Sequence, residues 1–229
     1  VDLGKEDHRV IQGLRQTPSA ALGSCRYILK EEEFPLILSQ LKKYNIGYFF
    51  LIGGNGSMAT IRQIEQYCKK NNYQLSGIGI PKTVDNDLCG TDHAPGFPSA
   101  ARYVCLSVQQ AGILARDMQS VDKYVILQTV GRDTGWLAAS AALAKKNESD
   151  APHLIYIPER PLSRKRLISE VKECIKKYGW VSIVCGEGIL WEDKSFVASL
   201  RPQDDFFDIE FGAMGGGSAA LNLHQLIHQ

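Results

Sequence analysis

The hydrophobic positions of the chain fall into short apolar runs separated by longer segments of helical period. The runs are flanked by Gly, Pro or Asp, which is typical of strands in α/β proteins. Five runs fit this description: GYFFLI (47–52), LSGIGI (75–80), KYVILQT (123–129), HLIYI (153–157) and WVSIVC (180–185). Their alternation with helical segments predicts an α/β fold of three layers, in which a mostly parallel sheet carries helices on both faces.

Helices are predicted between these strands. Ser57 can cap a helix after the first strand, and its apolar face is predicted from Ile61, Ile64 and Cys68. Pro98 suits the first turn of the next helix. The apolar face of that helix is predicted from six residues: Ala101, Val104, Cys105, Val108, Ile113 and Leu114. Further helices are predicted over 134–144, 164–177 and 218–228, and an irregular loop over 186–212.

The composition excludes several function classes. Hydrophobic residues make up 44% of the chain, which is enough for a packed core. The net charge is only +1, so neither a nucleic acid nor a membrane is expected as a partner, and any anion site must be local. The six cysteines lack CxxC spacing and are predicted to be reduced thiols of a cytoplasmic protein. No stretch reaches the roughly 18 apolar residues of a membrane span.

A glycine-rich loop, GGNGS (53–57), follows the first predicted strand and directly precedes a helix. Glycines allow the backbone to approach a phosphate, and the amides at a helix N-terminus donate hydrogen bonds to it. The loop matches neither the Walker A motif nor GxGxxG. An ordinary strand-to-helix turn is therefore an equally open interpretation of this loop alone.

A second polar loop, PKTVDND (81–87), follows the next strand. Loops after neighbouring parallel strands meet at one edge of the sheet, so the two loops are predicted to lie side by side. Phosphoryl transfer to a hydroxyl needs a carboxylate base, oxygen ligands for Mg²⁺ and cations, which Asp85, Asp87, Lys82 and Thr83 can provide. The alternative is a solvated turn, but two aspartates in extended geometry would point the same way and repel unless a cation lay between them.

The chain resembles the phosphofructokinase family in four segments: GGNGS (53–57), PKTVDND (81–87), TDHAPGFPSAA (91–101) and VGRDTGW (130–136). ALGSCRY (21–27) and EFGAMGGG (210–217) extend the resemblance from about residue 17 to near the end. The resemblance implies transfer of a phosphoryl group from ATP or pyrophosphate to the 1-hydroxyl of fructose 6-phosphate, with Mg²⁺ as cofactor. It also implies a dimer or tetramer, and one phosphofructokinase-like region over 1–229 with a donor part at about 20–120 and a sugar-phosphate part at about 121–229.

The acidic loop is matched to the family residue by residue. The resemblance implies that Asp85 is the catalytic base, which accepts the proton of the sugar hydroxyl, and that Asp87 is a supporting carboxylate. Thr83 and Val84 match contacts to the sugar phosphate. Asn55 and Asp87 are the implied metal ligands. Asn55 replaces the aspartate usual in the family, and a neutral amide holds Mg²⁺ less strongly, so Asp87 or the donor phosphates would carry more of the metal.

Later segments supply the implied sugar contacts. Val130, Gly131 and Arg132 match the segment that grips the sugar and the transition state, with Val130 in place of the usual methionine. Glu187 in CGEGI matches a glutamate that hydrogen-bonds the sugar, although a strand-end carboxylate without function is equally open from the residues alone. Lys123 stands where many relatives carry an arginine that crosses a subunit interface to the sugar phosphate. An exposed lysine at the start of a strand is the favoured alternative for it.

The implied contacts to the donor phosphates are Arg26 in GSCRY and Gly54, Asn55, Gly56 and Ser57 in the glycine loop. Arg26 alone would pass for a surface arginine. Gly56 favours ATP because the family's ATP users have glycine there, which leaves room for the α-phosphate. Lys82 favours pyrophosphate, whose users commonly carry that lysine. Since a side chain excludes a nucleotide sterically, Gly56 is given more weight, and ATP is slightly favoured.

The predicted catalytic residues are Asp85, Arg132, Lys82 and Gly56. A non-catalytic regulatory subunit of the same fold is the remaining alternative, and the retention of Asp85, Asp87 and Arg132 argues against it. The resemblance further implies a first strand with its own glycine-rich loop before residue 1, and arginines and a histidine for the sugar phosphate after residue 229. The fold and the active site are therefore expected to be incomplete at both ends of the chain.

Overall fold

The five predicted strands are present. The structure is a computed structural model that describes residues 2–17, 20–25, 27–198 and 217–228. Within these ranges the strands are β1 (Tyr48–Gly53), β2 (Ser76–Pro81), β3 (Tyr124–Thr129), β4 (Leu154–Tyr156) and β5 (Val181–Gly186). Each of their ends lies within one residue of the predicted end, because Gly, Pro and Asp flank the apolar runs.

The helices are α1 (His8–Gly13), α2 (Phe34–Lys43), α3 (Asn55–Lys70), α4 (Phe97–Asp117), α5 (Trp136–Ser140), α6 (Arg164–Tyr178) and α7 (Ala219–His228). Short 3₁₀ turns cover Leu3–Lys5, Leu14–Gln16, Glu31–Glu33 and Ala141–Ala144, and the last of these continues α5. The prediction did not include α1 or α2. The other five helices lie where the helical period placed them.

The strands divide into two sheets, and both are parallel. β1 pairs with β2 from Tyr48↔Ser76 to Gly53↔Pro81, and the second sheet has the order β3-β5-β4. The prediction had one sheet. Apolar runs indicate which segments are strands, but they do not specify which strands pair, so the division could not be predicted from them.

The second sheet has helices on both faces, as predicted. On one face, Leu167 of α6 and Leu223 of α7 pack against Ile183 of β5. On the other face, Val108 of α4 and Ala138 of α5 pack in a cluster with Val184 of the same strand. All six residues of β5 are buried, which is the pattern of a central strand in a three-layer α/β fold.

The first sheet is covered by α3 on one face, with Ile61, Ile64 and Cys68 buried on the side that faces the sheet and α2. Along each strand, side chains that face α3 alternate with side chains of the other face. On that other face, five apolar side chains are 38 to 70% exposed: Tyr48, Phe50, Ile52, Ile78 and Ile80. Parallel sheets are normally buried on both faces, so this outer face of β1 and β2 is unusual.

The predicted apolar face of α4 is partly wrong. Ile113 and Leu114 are each 64% exposed, whereas Val108, Gly112 and Ala115 are buried. A Cβ on Gly112 would lie 2.4 Å from the Cβ of Ala151, so the helix approaches the next layer through its small residues. The prediction failed because it took the larger apolar side chains to mark the buried face.

The remaining segments add little to the site. Residues 187–198 form turns and isolated bridges, as predicted for an irregular loop, and residues 199–216 lie outside the described part of the chain. All six cysteines carry free thiols. Among the described helices, none combines the length and the apolar character that a membrane span requires.

Candidate active site

The glycine loop and the acidic loop lie side by side, as predicted. The backbone N–H of Lys82 donates a hydrogen bond to the carbonyl oxygen of Gly53 at 2.8 Å. The side-chain amide of Asn55 donates to Oδ2 of Asp87 at 2.9 Å, across 32 residues of sequence. Both contacts follow from the parallel register, which ends β1 and β2 opposite each other at Gly53 and Pro81.

The glycine loop differs from its prediction in where the helix begins. Ser57 is not the cap, because α3 already begins at Asn55 and its N-cap is Gly54. The hydroxyl of Ser57 packs against Gly53, where a Cβ would lie only 2.0 Å from Oγ. In the first turn of a helix the backbone N–H groups have no intrahelical partner, so those of residues 55–57 are available to an anion.

The acidic loop is not extended, contrary to the prediction. A turn covers Val84 and Asp85, and Asn86 has φ 57° in the left-handed region. Asp85 and Asp87 therefore do not project from one side of a strand. Asn86 is only 8% exposed. The backbone N–H of Asp85 donates to Oγ1 of Thr83 at 3.3 Å, which closes the turn from its other end.

The loop after β3 joins the acidic loop. Thr134 donates its hydroxyl hydrogen to the backbone carbonyl oxygen of Asp85 at 2.9 Å. Two carboxylates hold the backbone of this third loop: Glu187 accepts from the N–H of Gly131 at 3.1 Å, and Glu159 accepts from the N–H of Gly135 at 2.9 Å. Loops that follow β2, β3, β4 and β5 are thus fixed to one another.

Arg132 lies at the centre of this third loop, which is called the Arg132 loop below. Its Nε is 3.3 Å from Oδ2 of Asp133 in an exposed ion pair. Its backbone is packed against Gly188, where a Cβ would lie 1.7 Å from the carbonyl oxygen of Arg132. Only glycine fits at this point, so Gly188 allows the loop after β5 to approach the Arg132 loop closely.

The two inner carboxylates have perturbed pKa values. Burial raises the pKa of Asp85, the charge of Asp87 raises it further, and Arg132 opposes both. Burial also raises the pKa of Glu187, against the hydrogen bond from Gly131, and the charge of Asp85 adds to the rise. A carboxylate with a raised pKa in a group of charged residues is a candidate general base, because its proton affinity is closer to neutral pH.

The other predicted site residues differ in where they lie relative to Asp85. Lys123 precedes β3 and therefore lies at the opposite end of that strand, where its Nζ donates to the carbonyl oxygen of Gln119 at 2.7 Å. Val130 follows the strand and is 49% exposed. Lys82 is exposed beside the glycine loop, and its charge is close enough to Asp85 to act on that carboxyl group and lower its pKa. Arg26 lies outside the described residues, as does most of EFGAMGGG (210–217).

Three residues of the site were not identified from the sequence: Asn86, Thr134 and Glu159. Asn86 carries a signal, because asparagine is one of the few residues that tolerate a left-handed backbone. Thr134 and Glu159 act through single hydrogen bonds to backbone groups of other loops, for which no local pattern exists.

A divalent metal would have few protein ligands here. Among the described residues, no group of three or more His, Cys, Asp or Glu side chains could hold a metal ion. Asn55 and Asp87 nevertheless place an amide and a carboxylate in contact beside the glycine loop. This pair fits Mg²⁺, which usually binds one or two carboxylates and takes its remaining ligands from water and substrate phosphates.

Comparison with known proteins identifies relatives over most of the chain. A family model described as Phosphofructokinase matches residues 2–218. The chain is 38% identical over 227 residues to a pyrophosphate–fructose 6-phosphate 1-phosphotransferase of Halomonas elongata, with 96% of this chain and 54% of the relative covered. It is 36% identical over 187 residues to a sulfofructose kinase of Alkalicoccus urumqiensis, with 82% and 49% covered.

A solved structure supports the same relationship. The crystal structure of a pyrophosphate-dependent phosphofructokinase from Nitrosospira multiformis matches with a TM-score of 0.82 and 32% identity, over 99% of this chain and 52% of that chain. The chain thus spans about half the length of these relatives. At this TM-score and coverage the two chains share the same fold.

Proposed function

This chain belongs to the phosphofructokinase family, and on that premise we propose that the complete protein transfers a phosphoryl group from pyrophosphate to the 1-hydroxyl of fructose 6-phosphate. The observation that carries the proposal is the position of Asp85. Its carboxyl group has a raised pKa and lies in a loop that is bonded to the start of α3 on one side and to the Arg132 loop on the other.

In the proposed reaction, the oxygen of the sugar 1-hydroxyl attacks a phosphorus atom of pyrophosphate, and the bond from that phosphorus to the bridging oxygen breaks. Orthophosphate leaves, and Asp85 accepts the hydroxyl proton. The N–H groups of residues 55–57 and the guanidinium group of Arg132 stabilise negative charge on the transferred group. Lys82 adds a cation beside the same loop.

Asp87 and Asn55 are the proposed protein ligands of Mg²⁺. When bound, the ion neutralises charge on the donor phosphates. Asp87 accepts a hydrogen bond from the Asn55 amide at 2.9 Å, which holds the two side chains together before any ion arrives. Asn55 is neutral, so Asp87 provides the charge of this pair.

Thr83 and Val84 are proposed to contact the sugar phosphate, and Gly131 and Glu187 to contact the sugar. Lys123 requires a different explanation. β3 has six residues and spans roughly 20 Å, so Lys123 cannot reach the site at the other end of its own strand. We therefore place Lys123 in the site of a neighbouring subunit, and a homo-oligomer is part of the proposal. The six free thiols favour a reducing compartment, for which we propose the cytoplasm.

The choice of donor rests on Lys82, Gly56 and the relatives. Lys82 and the names of the relatives favour pyrophosphate. One structural observation favours ATP as the second candidate: no atom lies within 4 Å of a Cβ built on Gly56, so the space above the helix start is open to a larger donor. We give precedence to pyrophosphate because a relative named for that donor is 38% identical to this chain, whereas an ATP-dependent 6-phosphofructokinase of Sulfurihydrogenibium sp. is 30% identical at similar coverage.

A coupled assay of the complete protein tests the proposal. Fructose 6-phosphate is supplied with pyrophosphate and with ATP in parallel reactions, and sulfofructose replaces the sugar in a third pair. Fructose 1,6-bisphosphate is expected with pyrophosphate, at a higher kcat/KM than with ATP. Higher kcat/KM with ATP would reverse the donor assignment, and preference for sulfofructose would reverse the acceptor. If no donor supports turnover, a regulatory subunit becomes the better explanation.

A further inference from the structure

Asn86 separates the two aspartates of the acidic loop and points into the protein. It is 8% exposed, which makes it one of the few buried polar side chains among the described residues. Its amide nitrogen donates to the carbonyl oxygen of Asp92 at 3.0 Å, and its Oδ1 accepts from the N–H of Ala94 at 2.7 Å. These two bonds close the segment from 86 to 94 on itself.

The backbone of Asn86 turns the chain between its neighbours. Its φ of 57° lies in the left-handed region, which side chains other than Gly, Asn and Asp adopt only with strain. On the N-terminal side of this turn, Asp85 is fixed by Thr134. On the C-terminal side, the carboxylate of Asp87 is bonded to Asn55. The two aspartates that flank Asn86 are thus bonded to different loops, Asp85 through its backbone carbonyl oxygen and Asp87 through its carboxylate.

We propose that Asn86 is a positioning residue, which directs Asp85 towards the Arg132 loop and Asp87 towards the glycine loop. Its buried amide fixes the turn, and its backbone conformation sets the angle between the two carboxylates. The kinetic part of this inference rests on the proposed function. The structural part does not, because it concerns only where the two carboxylates lie.

Three substitutions separate the two contributions of Asn86. Asn86→Gly keeps the left-handed backbone accessible and removes both side-chain hydrogen bonds. Asn86→Ala removes the bonds and also strains the backbone. Asn86→Asp tolerates the backbone and keeps an acceptor for Ala94, but it loses the donor to Asp92 and places a third carboxyl group in a buried position between Asp85 and Asp87. We expect activity to decrease in the order wild type, Gly, Ala, and Asn86→Asp to be less active than the wild type.

The kinetic readout is a split between kcat and KM. Displacement of a catalytic group by about 1 Å can lower the rate about 100-fold, so kcat of Asn86→Ala is expected to fall by about 10- to 100-fold. KM for fructose 6-phosphate and pyrophosphate is expected to change less than about threefold, because a positioning role acts in the transition state. A role in general stability alone would leave kcat of the folded fraction unchanged.

Asn72 provides the matched control. It has φ 54° and lies just beyond the end of α3, so Asn72→Ala imposes a similar backbone strain away from the acidic loop. Its kcat is expected to equal that of the wild type. The inference is overturned if Asn86→Gly and Asn86→Ala both retain kcat within about twofold of the wild type, or if Asn72→Ala loses as much as Asn86→Ala.

A crystal structure of Asn86→Gly decides the structural part without any assay. Both carboxylates are expected to move by about 1 Å or more relative to the unmutated protein. Unchanged positions would overturn the inference. If the unmutated protein shows no turnover with either donor, the proposed function fails while this comparison still tests Asn86. If Asn86→Ala does not fold, Asn86→Gly and Asn86→Asp carry both measurements.

Discussion

The hydroxyl of Thr134 donates a hydrogen bond to the backbone carbonyl oxygen of Asp85 at 2.9 Å, across 49 residues of sequence. This bond joins the loop after β2, in the first sheet, to the loop after β3, in the second sheet. It fixes the backbone of the proposed base rather than its carboxylate. The position of Asp85 relative to the loop that carries Arg132 therefore depends on a hydrogen bond from Thr134 to a backbone atom.

Thr134→Val is expected to lower kcat by about tenfold with little change in KM, because the carbonyl of Asp85 loses its partner and the two loops separate. The free energy of unfolding is expected to fall by about 0.5–1.5 kcal/mol. Steady-state kinetics and urea unfolding measure the two effects. Thr134→Ser restores the hydroxyl and should recover most of kcat. A serine variant as impaired as the valine variant would contradict this role.

Asp85→Ala is expected to lower kcat by at least about 100-fold, the usual scale for the loss of a general base. The circular dichroism spectrum should remain that of the wild type. Asp117→Ala at the exposed end of α4 is the control, and its kcat should not change. Near-normal turnover by Asp85→Ala would remove Asp85 from the role of base.

In a plot of kcat/KM against pH, activity should be lost on the acid side with a midpoint (the acid limb) above 3.8, the ordinary pKa of aspartate. The reason is that the pKa of Asp85 is raised and a protonated base is inactive. The charge of Asp133 contributes to the rise. Asp133→Asn should therefore lower the pKa of Asp85 and move the acid limb to lower pH. A limb that stays in place or moves to higher pH would contradict this electrostatic account.

Asp85→Asn should stabilise the fold at neutral pH. The raised pKa means that the folded state disfavours the ionised carboxyl group, so Asp85 reduces stability as the pH rises through its folded pKa. Asparagine does not ionise and avoids that loss. The gain in unfolding free energy, measured in urea, should shrink towards zero below pH 3.8, the ordinary value. A variant that is less stable at pH 7 would refute the pKa direction.

Gly188→Ala should damage both stability and catalysis, because the new Cβ would lie 1.7 Å from the carbonyl oxygen of Arg132. Overpacking of this kind costs about 1–3 kcal/mol of unfolding free energy. Gly56→Ala is the matched stability control: nothing lies within 4 Å of its Cβ, and alanine in a helix should stabilise by about 0.5–1 kcal/mol. Equal effects of the two substitutions on urea unfolding would contradict the packing argument.

The sequence was sufficient to predict the strands and the neighbouring positions of the two loops. Apolar runs bounded by Gly, Pro or Asp located β1 and β2. Parallel pairing of these strands then places Gly53 and Lys82 in hydrogen-bond contact. The turn at Asn86 was missed because the expected extended geometry ignored the left-handed preference of asparagine. The start of α3 at Asn55 was missed because Ser57 was a stronger cap by residue type than Gly54.

Interactions between distant segments could not be predicted from residue types. Thr134, Glu159 and Gly188 act through backbone atoms of other loops, and their identities alone do not specify those partners. The buried side of α4 was mispredicted for a related reason, since contact through Gly112 depends on the neighbouring Ala151. Local periodicity predicts which segments are regular, whereas tertiary contact decides which of their atoms touch.

The outer face of β1 and β2, with Tyr48, Phe50 and Ile52 beside Ile78 and Ile80, has a practical consequence. A contiguous apolar surface on a two-stranded sheet promotes self-association in water. A recombinant polypeptide of residues 1–229 should therefore precipitate or enter inclusion bodies. Light scattering at increasing protein concentration would reveal this self-association. Enzymology and crystallisation are accordingly better attempted with a preparation in which that face is shielded from solvent.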